Sequence, residues 1–494
     1  MPFDLLVVGG GIQGAAVARD AAMRGLRVLL LERGDLASGT SSRSSKLIHG
    51  GIRYLETGQF GLVREALRER AILLRLASEF VRPLPFLIPH YRREGRPRFL
   101  VRAGLALYAA LAGHHALARH RTLDATEARA LEPELRPEGL LGASLYWDAQ
   151  MDDALLCVSV AVDAERAGAT IRTYAAVVGL EVRGSSWRAR FHDVDSGEER
   201  IEEARCVVNA AGPWAEAIRG LVRAAPGVGL RRTRGTHVVV PSLTREKALL
   251  LTAHRDGRAF FVLPWGEHSL IGTTDVDDST PPERVAPDAG DVRYLLEEAA
   301  RALPRLRGDA RPLRAFAGLR SLAQGSAIRP WANSREHRIV EEGTMLTLIG
   351  GKYTTHRSLA ERVVDRVAAL TGVRVGRCVT AETELPGRLR AIAELTPRYP
   401  GKLRLEGSLE ITEAEVAHAV QKEHARHPDD ILERRSRLWL RLDAMRRAAP
   451  QVAAWMGSHL GWDESRRARE VERVAHAMDR EAQVLDAAME GGRT

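Results

Sequence analysis

Residues 4–14 read DLLVVGGGIQG, a short apolar run that leads into a glycine-rich turn. Its first five residues are apolar enough for a parallel strand buried on both faces. Gly9, Gly11 and Gly14 follow in G-x-G-x-x-G spacing, and the alanine-rich residues 15–24 predict a helix. The first glycine permits a tight turn, the second lets the backbone approach a pyrophosphate, and the third lets the helix pack on the strand. The stretch therefore predicts a Rossmann-type dinucleotide-binding domain.

An acidic residue supports the same prediction. Residues 27–31 (RVLLL) predict a second strand, and Glu32 ends it, 18 residues after Gly14. An acid at this place can accept hydrogen bonds from the adenosine ribose of NAD or FAD. An NAD-binding domain would usually continue through further βα units, whereas a Ser/Gly-rich loop intervenes here.

That loop, SSRSSKLIHGGIRYLE at 41–56, has neither a helical nor an alternating apolar period. Its hydroxyls and backbone N–H groups suit an anionic ligand. Lys46 stands out because only five of the 73 basic residues are lysines. The loop predicts a ligand-binding segment rather than solvated filler.

Composition bounds the class of protein. With 494 residues, two or more domains are expected, and 45% apolar with 28% charged residues is typical of a globular chain. Cys157, Cys206 and Cys378 lie far apart without CxxC spacing, so we expect no disulfide framework, no metal site and a reducing, cytoplasmic setting. We expect no signal peptide and no membrane-spanning helix, which needs ~20 apolar residues.

The net charge of +9 suggests acidic partners. A nucleic-acid-binding protein is disfavoured, because aromatic residues make up only 5% and the arginines are spread along the chain.

Motifs along the whole chain carry a resemblance to a known family. They are GGGIQG (9–14), LER (31–33), TSSRSSKLIHGGIRYLE (40–56), NAAGPW (209–214), RGTHVVVP (234–241), IGTTD (271–275), AGLRSL (317–322), IGGKYTT (349–355) and DDILERRSRLWL (429–440). Together they closely resemble FAD-dependent glycerol-3-phosphate dehydrogenases.

The resemblance implies an α/β fold with a Rossmann-type FAD-binding domain, a substrate-binding mixed β-sheet domain and a C-terminal α-helical cap. The predicted oxidoreductase region spans 1–380. Its FAD-binding part comprises about 1–80, 144–230 and 310–380, its substrate part about 81–143 and 231–309, and the helical domain is 381–494.

The implied reaction is oxidation of sn-glycerol 3-phosphate to dihydroxyacetone phosphate. A hydride would pass from C2 to N5 of non-covalently bound FAD, and the electrons would go to a membrane quinone. Alternatives are a glycerol-3-phosphate oxidase that uses O2 and another amine-oxidase-like flavoprotein. A homodimer is possible under this reading.

The resemblance also implies the cofactor contacts. These are Gly9, Gly11, Gly14, Glu32, Ser41, Ser42, Ser45, Lys46, Leu47, Val177, Gly212, Gly351 and Lys352. A cation at Lys352 would stabilise reduced flavin.

Substrate contacts follow from the same resemblance. Arg53 and Tyr54 would bind the phosphate, because the planar guanidinium suits that group. Arg335 resembles a second phosphate ligand, and Thr274 lies beside the substrate sheet. Arg320 would stabilise alkoxide character at the C2 oxygen. Ser321 follows it where the family ordinarily has proline, which loosens the local turn.

Two histidines are rival bases for the C2 hydroxyl proton, His237 and His49. Their sequence contexts do not distinguish them.

Two further segments have predicted roles. Residues 412–486 suggest about four helices, opened by Thr412 and Glu415 in capping-box spacing. Residues 92–121 have an apolar centre with arginines and histidines on both sides. That pattern fits an interfacial helix on anionic lipid, and equally a buried helix with a basic exposed face. A quinone-reducing enzyme favours the first, hence peripheral contact with the cytoplasmic membrane face.

Overall fold

The computed structural model describes residues 2–222, 229–307, 311–323 and 337–490. In these residues the strands are β1 Phe3–Val8, β2 Val28–Leu31, β3 Leu47–Ile48, β4 Val81–Tyr91, β5 Arg121–Leu123, β6 Leu140–Met151, β7 Thr170–Arg172, β8 Ala175–Arg183, β9 Ser186–Asp193, β10 Glu199–Asn209, β11 Leu230–Pro241, β12 Ala248–Thr252, β13 Ala259–Trp265, β14 His268–Gly272, β15 Val276–Asp277, β16 Arg314–Ala323, β17 Arg338–Glu342, β18 Met345–Ile349, β19 Lys402–Arg404 and β20 Glu410–Thr412.

The helices are α1 Ile12–Met23, α2 Phe60–Leu76, α3 Arg98–Ala112, α4 Ala125–Leu131, α5 Asp153–Arg166, α6 Ala215–Gly220, α7 Ala289–Ala302, α8 His356–Thr371, α9 Arg388–Leu395, α10 Glu413–Lys422, α11 Pro428–Arg434, α12 Leu442–Leu460 and α13 Glu464–Glu490.

The first sheet has the order β17-β18-β10-β1-β2-β7, and the β8–β9 hairpin extends β10. Strands β18, β10, β1, β2 and β7 are parallel. The last four residues of β1 are buried, as the apolar run predicts. Because parallel strands end at the same edge of a sheet, the segments after β1, β2, β10 and β18 meet there. Motifs more than 300 residues apart in sequence thus share one edge.

Helix α1 packs between α5 and α8 against this sheet. A Cβ at Gly14 would lie 1.9 Å from the carbonyl oxygen of Gly9. The third glycine of the motif therefore allows the close packing of helix on strand that its spacing predicts.

The second sheet is mixed, in the order β15-β11-β14-β13-β12-β4-β6-β3, with β16 on β11 and β5 on β6. The predicted fold class, a Rossmann-type domain with a mixed-sheet domain and helical C-terminal part, is confirmed. Residues 314–323 pair with β11 in this second sheet. The division of the chain at the predicted domain boundaries stays a prediction.

The C-terminal part is helical. Helices α10–α13 correspond to the four helices predicted over 412–486. Thr412 and Glu415 form the capping box that their spacing predicts, with Glu415 N–H donating to Thr412 Oγ1 over 3.2 Å.

A buried charge cluster joins this helical part to the first sheet. The carboxylate of Asp35, in the loop after β2, accepts hydrogen bonds at 2.6 Å from both Arg434 and Arg435. The three side chains are at most 5% exposed. Burying each charge without a partner would destabilise the folded state, so the fold depends on these ion pairs.

We expect Asp35→Asn to destabilise the fold by about 3–5 kcal/mol, because it removes the buried negative charge that Arg434 and Arg435 share. The measurement is the midpoint urea concentration of unfolding, monitored by tryptophan fluorescence. Glu382→Gln, which breaks the exposed pair between Arg377 and Glu382, is the control and should leave the midpoint unchanged. Equal midpoints for both variants would contradict the expectation.

Candidate active site

A cavity of about 850 Å³ lies between the two sheets, along the carboxyl edge of the parallel strands. The loops after β1, β2, β10 and β18 line one side, and residues from β13, β16 and the segment after β14 line the other. Of the predicted site residues, these line it: Gly9, Gly11, Glu32, Ser41, Ser45, Leu47, His49, Arg53, Tyr54, Val177, Gly212, Arg320, Gly351 and Lys352. Arg335 lies outside the described residues.

The glycine loop forms a cradle at the start of α1. Gly9 has φ +112°, and a Cβ there would lie 2.7 Å from the carbonyl oxygen of Ala210. Gly11 caps α1, whose first turn contains no acidic residue. The N–H groups at this helix start are therefore available to a pyrophosphate, without a carboxylate to repel it.

Glu32 stands at the end of β2, beside the cradle. Its carboxylate accepts hydrogen bonds from the N–H of Gly10 at 2.6 Å and of Gly34 at 2.8 Å. Burial raises the pKa of Glu32 above its ordinary value, and these two hydrogen bonds offset part of the rise. The acid thus holds the turns on both sides while it lines the cavity.

The polar loop is anchored along its length. The hydroxyl of Ser41 accepts the Ile12 N–H at 2.9 Å, and the Thr40 hydroxyl donates to the Leu319 carbonyl oxygen at 2.6 Å. Ser44 donates to Asp153 through its hydroxyl at 2.7 Å and its N–H at 3.1 Å. The loop therefore bridges the first sheet, α5 and the second sheet.

Lys46 was predicted to contact the cofactor, but its side chain does not line the cavity. It has φ +53° and its ammonium group pairs with the buried Asp153 carboxylate. The same group lies 4.3 Å from the ring centroid of Trp439 in the helical part. The neighbouring residues Ser45 and Leu47 line the cavity instead. Ser42 does not line the cavity either, and its carbonyl oxygen accepts from Lys46 Nζ at 3.3 Å.

Lys352 and Tyr54 lie together in the cavity lining, which also includes Arg53. Lys352 Nζ donates to the Gly50 carbonyl oxygen at 3.2 Å and lies 4.4 Å from the ring centroid of Tyr54. Gly51 has φ +81°, and a Cβ there would come within 2.3 Å of the Tyr54 ring and 3.0 Å of Lys352 Nζ. Gly51 thus lets Tyr54 and Lys352 pack against the backbone. Lys352 precedes a 3-10 turn at Tyr353–Thr355 rather than lying in the first helical turn of α8.

The two histidines occupy different places. His49 lines the cavity, with its ring edge-on to Phe261 at 6.3 Å between centroids. His237 is buried in β11, where Nε2 is 2.9 Å from the Ser45 hydroxyl and the ring stacks on Phe316 at 5.1 Å. Burial holds the pKa of His237 well below its ordinary value, and the nearby cations lower it further. His237 therefore contacts the polar loop through Ser45 and does not line the cavity.

Thr274 is also buried and directed away from the cavity. Its hydroxyl accepts the Thr236 N–H at 2.9 Å and contacts the Asp291 carboxylate at 3.3 Å. Its neighbour Thr273 lines the cavity and bonds Arg320 at 3.0 Å. At this turn Thr273, and not the predicted Thr274, lines the cavity.

Three residues of the site were missed by sequence reasoning. Asp153 holds the polar loop, Gln13 Nε2 donates to the Gly350 carbonyl oxygen at 2.7 Å, and the Tyr353 hydroxyl donates to the Asp153 carbonyl oxygen. The adjacent acids Asp152 and Asp153 signal a helix start, but nothing local indicates their partners.

The residues present fit a flavin dinucleotide. Glycines whose Cβ positions would be blocked, a helix start free of acids and a buried acid form its pyrophosphate and ribose end. The cavity continues past the polar loop to Lys352, where a ring system would lie between the two sheets.

Known proteins share this organisation. Residues 4–357 match the family described as FAD dependent oxidoreductase, and residues 346–467 match the C-terminal domain of alpha-glycerophosphate oxidase. The chain is 37% identical over 489 residues to D-erythritol 1-phosphate dehydrogenase of Brucella abortus, across 90% of this chain and 96% of that protein. It is 36% identical over 534 aligned residues to glycerol-3-phosphate dehydrogenase 2 of Mycobacterium tuberculosis, across 98% and 89%.

Solved structures agree. The glycerol-3-phosphate dehydrogenase of Bacillus halodurans, complexed with FAD, gives a TM-score of 0.77 at 26% identity, over 97% of this chain and 94% of that chain. L-alpha-glycerophosphate oxidase of Mycoplasma pneumoniae gives 0.60 at 18% identity, over 78% and 99%, which shows a shared fold. The cofactor is FAD, as predicted. The chain therefore belongs to the FAD-dependent oxidoreductases, in the glycerol-3-phosphate dehydrogenase and α-glycerophosphate oxidase family.

Proposed function

We propose that this protein oxidises sn-glycerol 3-phosphate to dihydroxyacetone phosphate and passes the electrons to a membrane quinone. The observation that carries the proposal is that one cavity is lined both by a dinucleotide cradle and by Arg53, Tyr54, Lys352 and Arg320, the cationic cluster of the proposal. Such a cluster suits a small phosphorylated alcohol, because a phosphate needs a planar guanidinium and further donors. The unphosphorylated substrates of amine-oxidase-like flavoproteins would not require it.

Each of these side chains has a role in the proposal. Arg53 and Tyr54 bind the phosphate, and Arg320 stabilises negative charge at the C2 oxygen. Bound FAD supplies the hydride acceptor. The Lys352 ammonium group, held by the Gly50 carbonyl, provides positive charge beside the cofactor ring.

His49 is the proposed base for the C2 hydroxyl proton. It lines the cavity together with Arg53 and Tyr54, whereas His237 bonds Ser45 behind the polar loop. A base must come within hydrogen-bond reach of the proton it removes.

D-Erythritol 1-phosphate is a second candidate substrate. A relative of that name is 37% identical over 90% of this chain. Both alcohols carry the phosphate that the cationic cluster would bind, so comparing kcat/KM for the two separates them.

A peripheral membrane contact would bring the protein to the bilayer that contains the quinone. Helix α3 exposes Phe99 by 75%, Leu100 by 49% and Leu107 by 40%, and Arg98 and Arg102 are exposed on the same helix. Apolar side chains flanked by arginines suit an anionic bilayer surface. No helix in the described part of the chain is both long and apolar enough to cross a bilayer. A homodimer stays a prediction.

Anaerobic mixing of the yellow protein with glycerol 3-phosphate tests the function. Flavin absorbance should bleach, and Arg53→Met should raise the required substrate concentration about 10–100-fold, because a hydrogen bond to a charged group is lost. Flavin content should not change, and Arg64→Met, on the exposed face of α2, is the control. Equal bleaching by unphosphorylated glycerol would contradict a phosphate site. Adding O2 or a quinone analogue afterwards distinguishes oxidase from dehydrogenase.

The two histidines are separated by pH profiles of flavin reduction. His49→Asn should slow the step by about 10²–10⁴-fold, the usual contribution of a general base. His237→Asn should keep the shape of the profile, because burial holds the pKa of His237 well below its ordinary value and the ring stays neutral at working pH. A profile that loses its pH dependence only in His237→Asn would reverse the assignment.

Vesicle flotation tests the membrane contact. Phe99→Ser with Leu100→Ser should weaken binding to phosphatidylglycerol vesicles by at least about 10-fold, since each buried apolar side chain contributes about 1.5–3 kcal/mol. Leu389→Ser is the matched control, because Leu389 is 67% exposed on α9. Equal loss in both proteins, or no binding by the unmodified protein, would contradict a contact through α3.

A further inference from the structure

The turn after β14 holds the guanidinium group of Arg320. Nη1 of Arg320 donates to the Asp275 carboxylate at 3.0 Å and to the Thr274 carbonyl oxygen at 3.2 Å. Nη2 donates to the Thr273 hydroxyl at 3.0 Å. Three acceptors on consecutive residues therefore orient one side chain.

Asp275 contacts Arg320 from the side away from the cavity. Arg320 and Thr273 line the cavity, and Asp275 does not. The side chains of the ion pair are 15% and 7% exposed, so water screens their attraction only weakly. Asp275 can thus act on a bound substrate only through Arg320 and through its own charge.

A glycine completes the seat of Arg320. In the β11–β16 ladder, Gly235 pairs with Gly318, two residues before Arg320. A Cβ at Gly235 would lie 2.4 Å from Nη2 and 2.7 Å from Cζ of Arg320. The guanidinium group therefore rests against bare backbone, and a larger residue would displace it.

Hydrogen bonds join the turn itself to β11 and α7. The Thr274 hydroxyl accepts the Thr236 N–H at 2.9 Å and donates to Asp291 on α7 at 3.3 Å. The Asp291 carboxylate also accepts from the Thr236 hydroxyl at 2.7 Å and from Arg234 at 3.2 Å. Since β11 and α7 hold the turn, Asp275 has a fixed place from which to hold Arg320.

We propose that Asp275 is a positioning residue of the reaction, which aims the Arg320 guanidinium at the C2 oxygen of the substrate. This inference rests on the proposed function of Arg320. The arginine alone has several rotamers and is followed by Ser321 instead of a stiffening proline. The Asp275 and Thr273 acceptors compensate by selecting one orientation before the substrate binds. Such pre-orientation affects the rate of the reaction step, because a misplacement of a reacting or positioning group by about 1 Å can lower the rate about 100-fold.

Stopped-flow flavin reduction by glycerol 3-phosphate, without O2, measures the effect of Asp275→Asn. We expect the limiting rate to fall about 10–100-fold. Substrate affinity should change much less, and flavin content should be unaffected. Asp277→Asn is the matched control two residues along, because Asp277 pairs with Arg231 over 2.6 Å at the surface. A purely structural role would lower thermal stability without this selective loss of rate.

The Arg320→Ala background then shows whether Asp275 acts through Arg320. In that background Asp275→Asn should cause no further loss, whereas additive losses would overturn the proposal. A normal rate in Asp275→Asn with a slow Arg320→Ala protein would overturn the positioning role alone. A normal rate in Arg320→Ala would instead overturn the proposed function of Arg320. If Asp275→Asn yields no flavoprotein, Thr273→Val is measured in its place. A lower rate of flavin reduction, with no further loss when Thr273→Val is added to Arg320→Ala, supports the proposal. An unchanged rate in Thr273→Val overturns it.

Discussion

The buried carboxylate of Asp153 is the constraint on which the cofactor cavity depends. It accepts hydrogen bonds from the N–H and hydroxyl of Ser44 and pairs with the Lys46 ammonium group. The carbonyl oxygen of the same residue accepts from the Tyr353 hydroxyl, next to Lys352. A buried carboxylate without donors would cost several kcal/mol, so these donors cannot turn away. One residue at the start of α5 therefore sets the polar loop and the loop after β18 together.

The same contact ties the helical part to the cavity. The Lys46 ammonium group lies over Trp439, and it is also within 6 Å of the ring centroids of Trp265 and Phe316. The Asp35 pair with Arg434 and Arg435 makes a second link beside the ribose end. Through Trp439, Arg434 and Arg435, the C-terminal part thus contacts the loops that border the cavity.

Several features could be predicted because they depend on neighbouring residues. The positive φ of Gly9 and the close approach of Gly14 to Gly9 are local backbone features, and Glu32 is placed by the strand that it ends. The capping box joins Thr412 and Glu415, which are only three positions apart, and is present as its spacing indicates.

The orientations of Lys46, His237 and Thr274 could not be predicted from neighbouring residues. Their chemistry is visible in the sequence, but the direction of each side chain depends on a partner far along the chain. His237 bonds Ser45 across 192 positions, and Lys46 pairs with Asp153 across 107.

The dinucleotide cradle could be read from consecutive residues, because its turn geometry and strand pattern are local, and the resemblance of motifs along the chain indicated the fold class and the family. Which members of a motif face the cavity, in contrast, depends on how the sheets pack. The tertiary structure put His49 in the cavity and His237 behind it, and it gave Arg320 the support of Asp275 and Gly235. The physical reason is burial: a charged or polar group inside the protein must face its hydrogen-bond partners, and those partners are brought together only by the packed sheets.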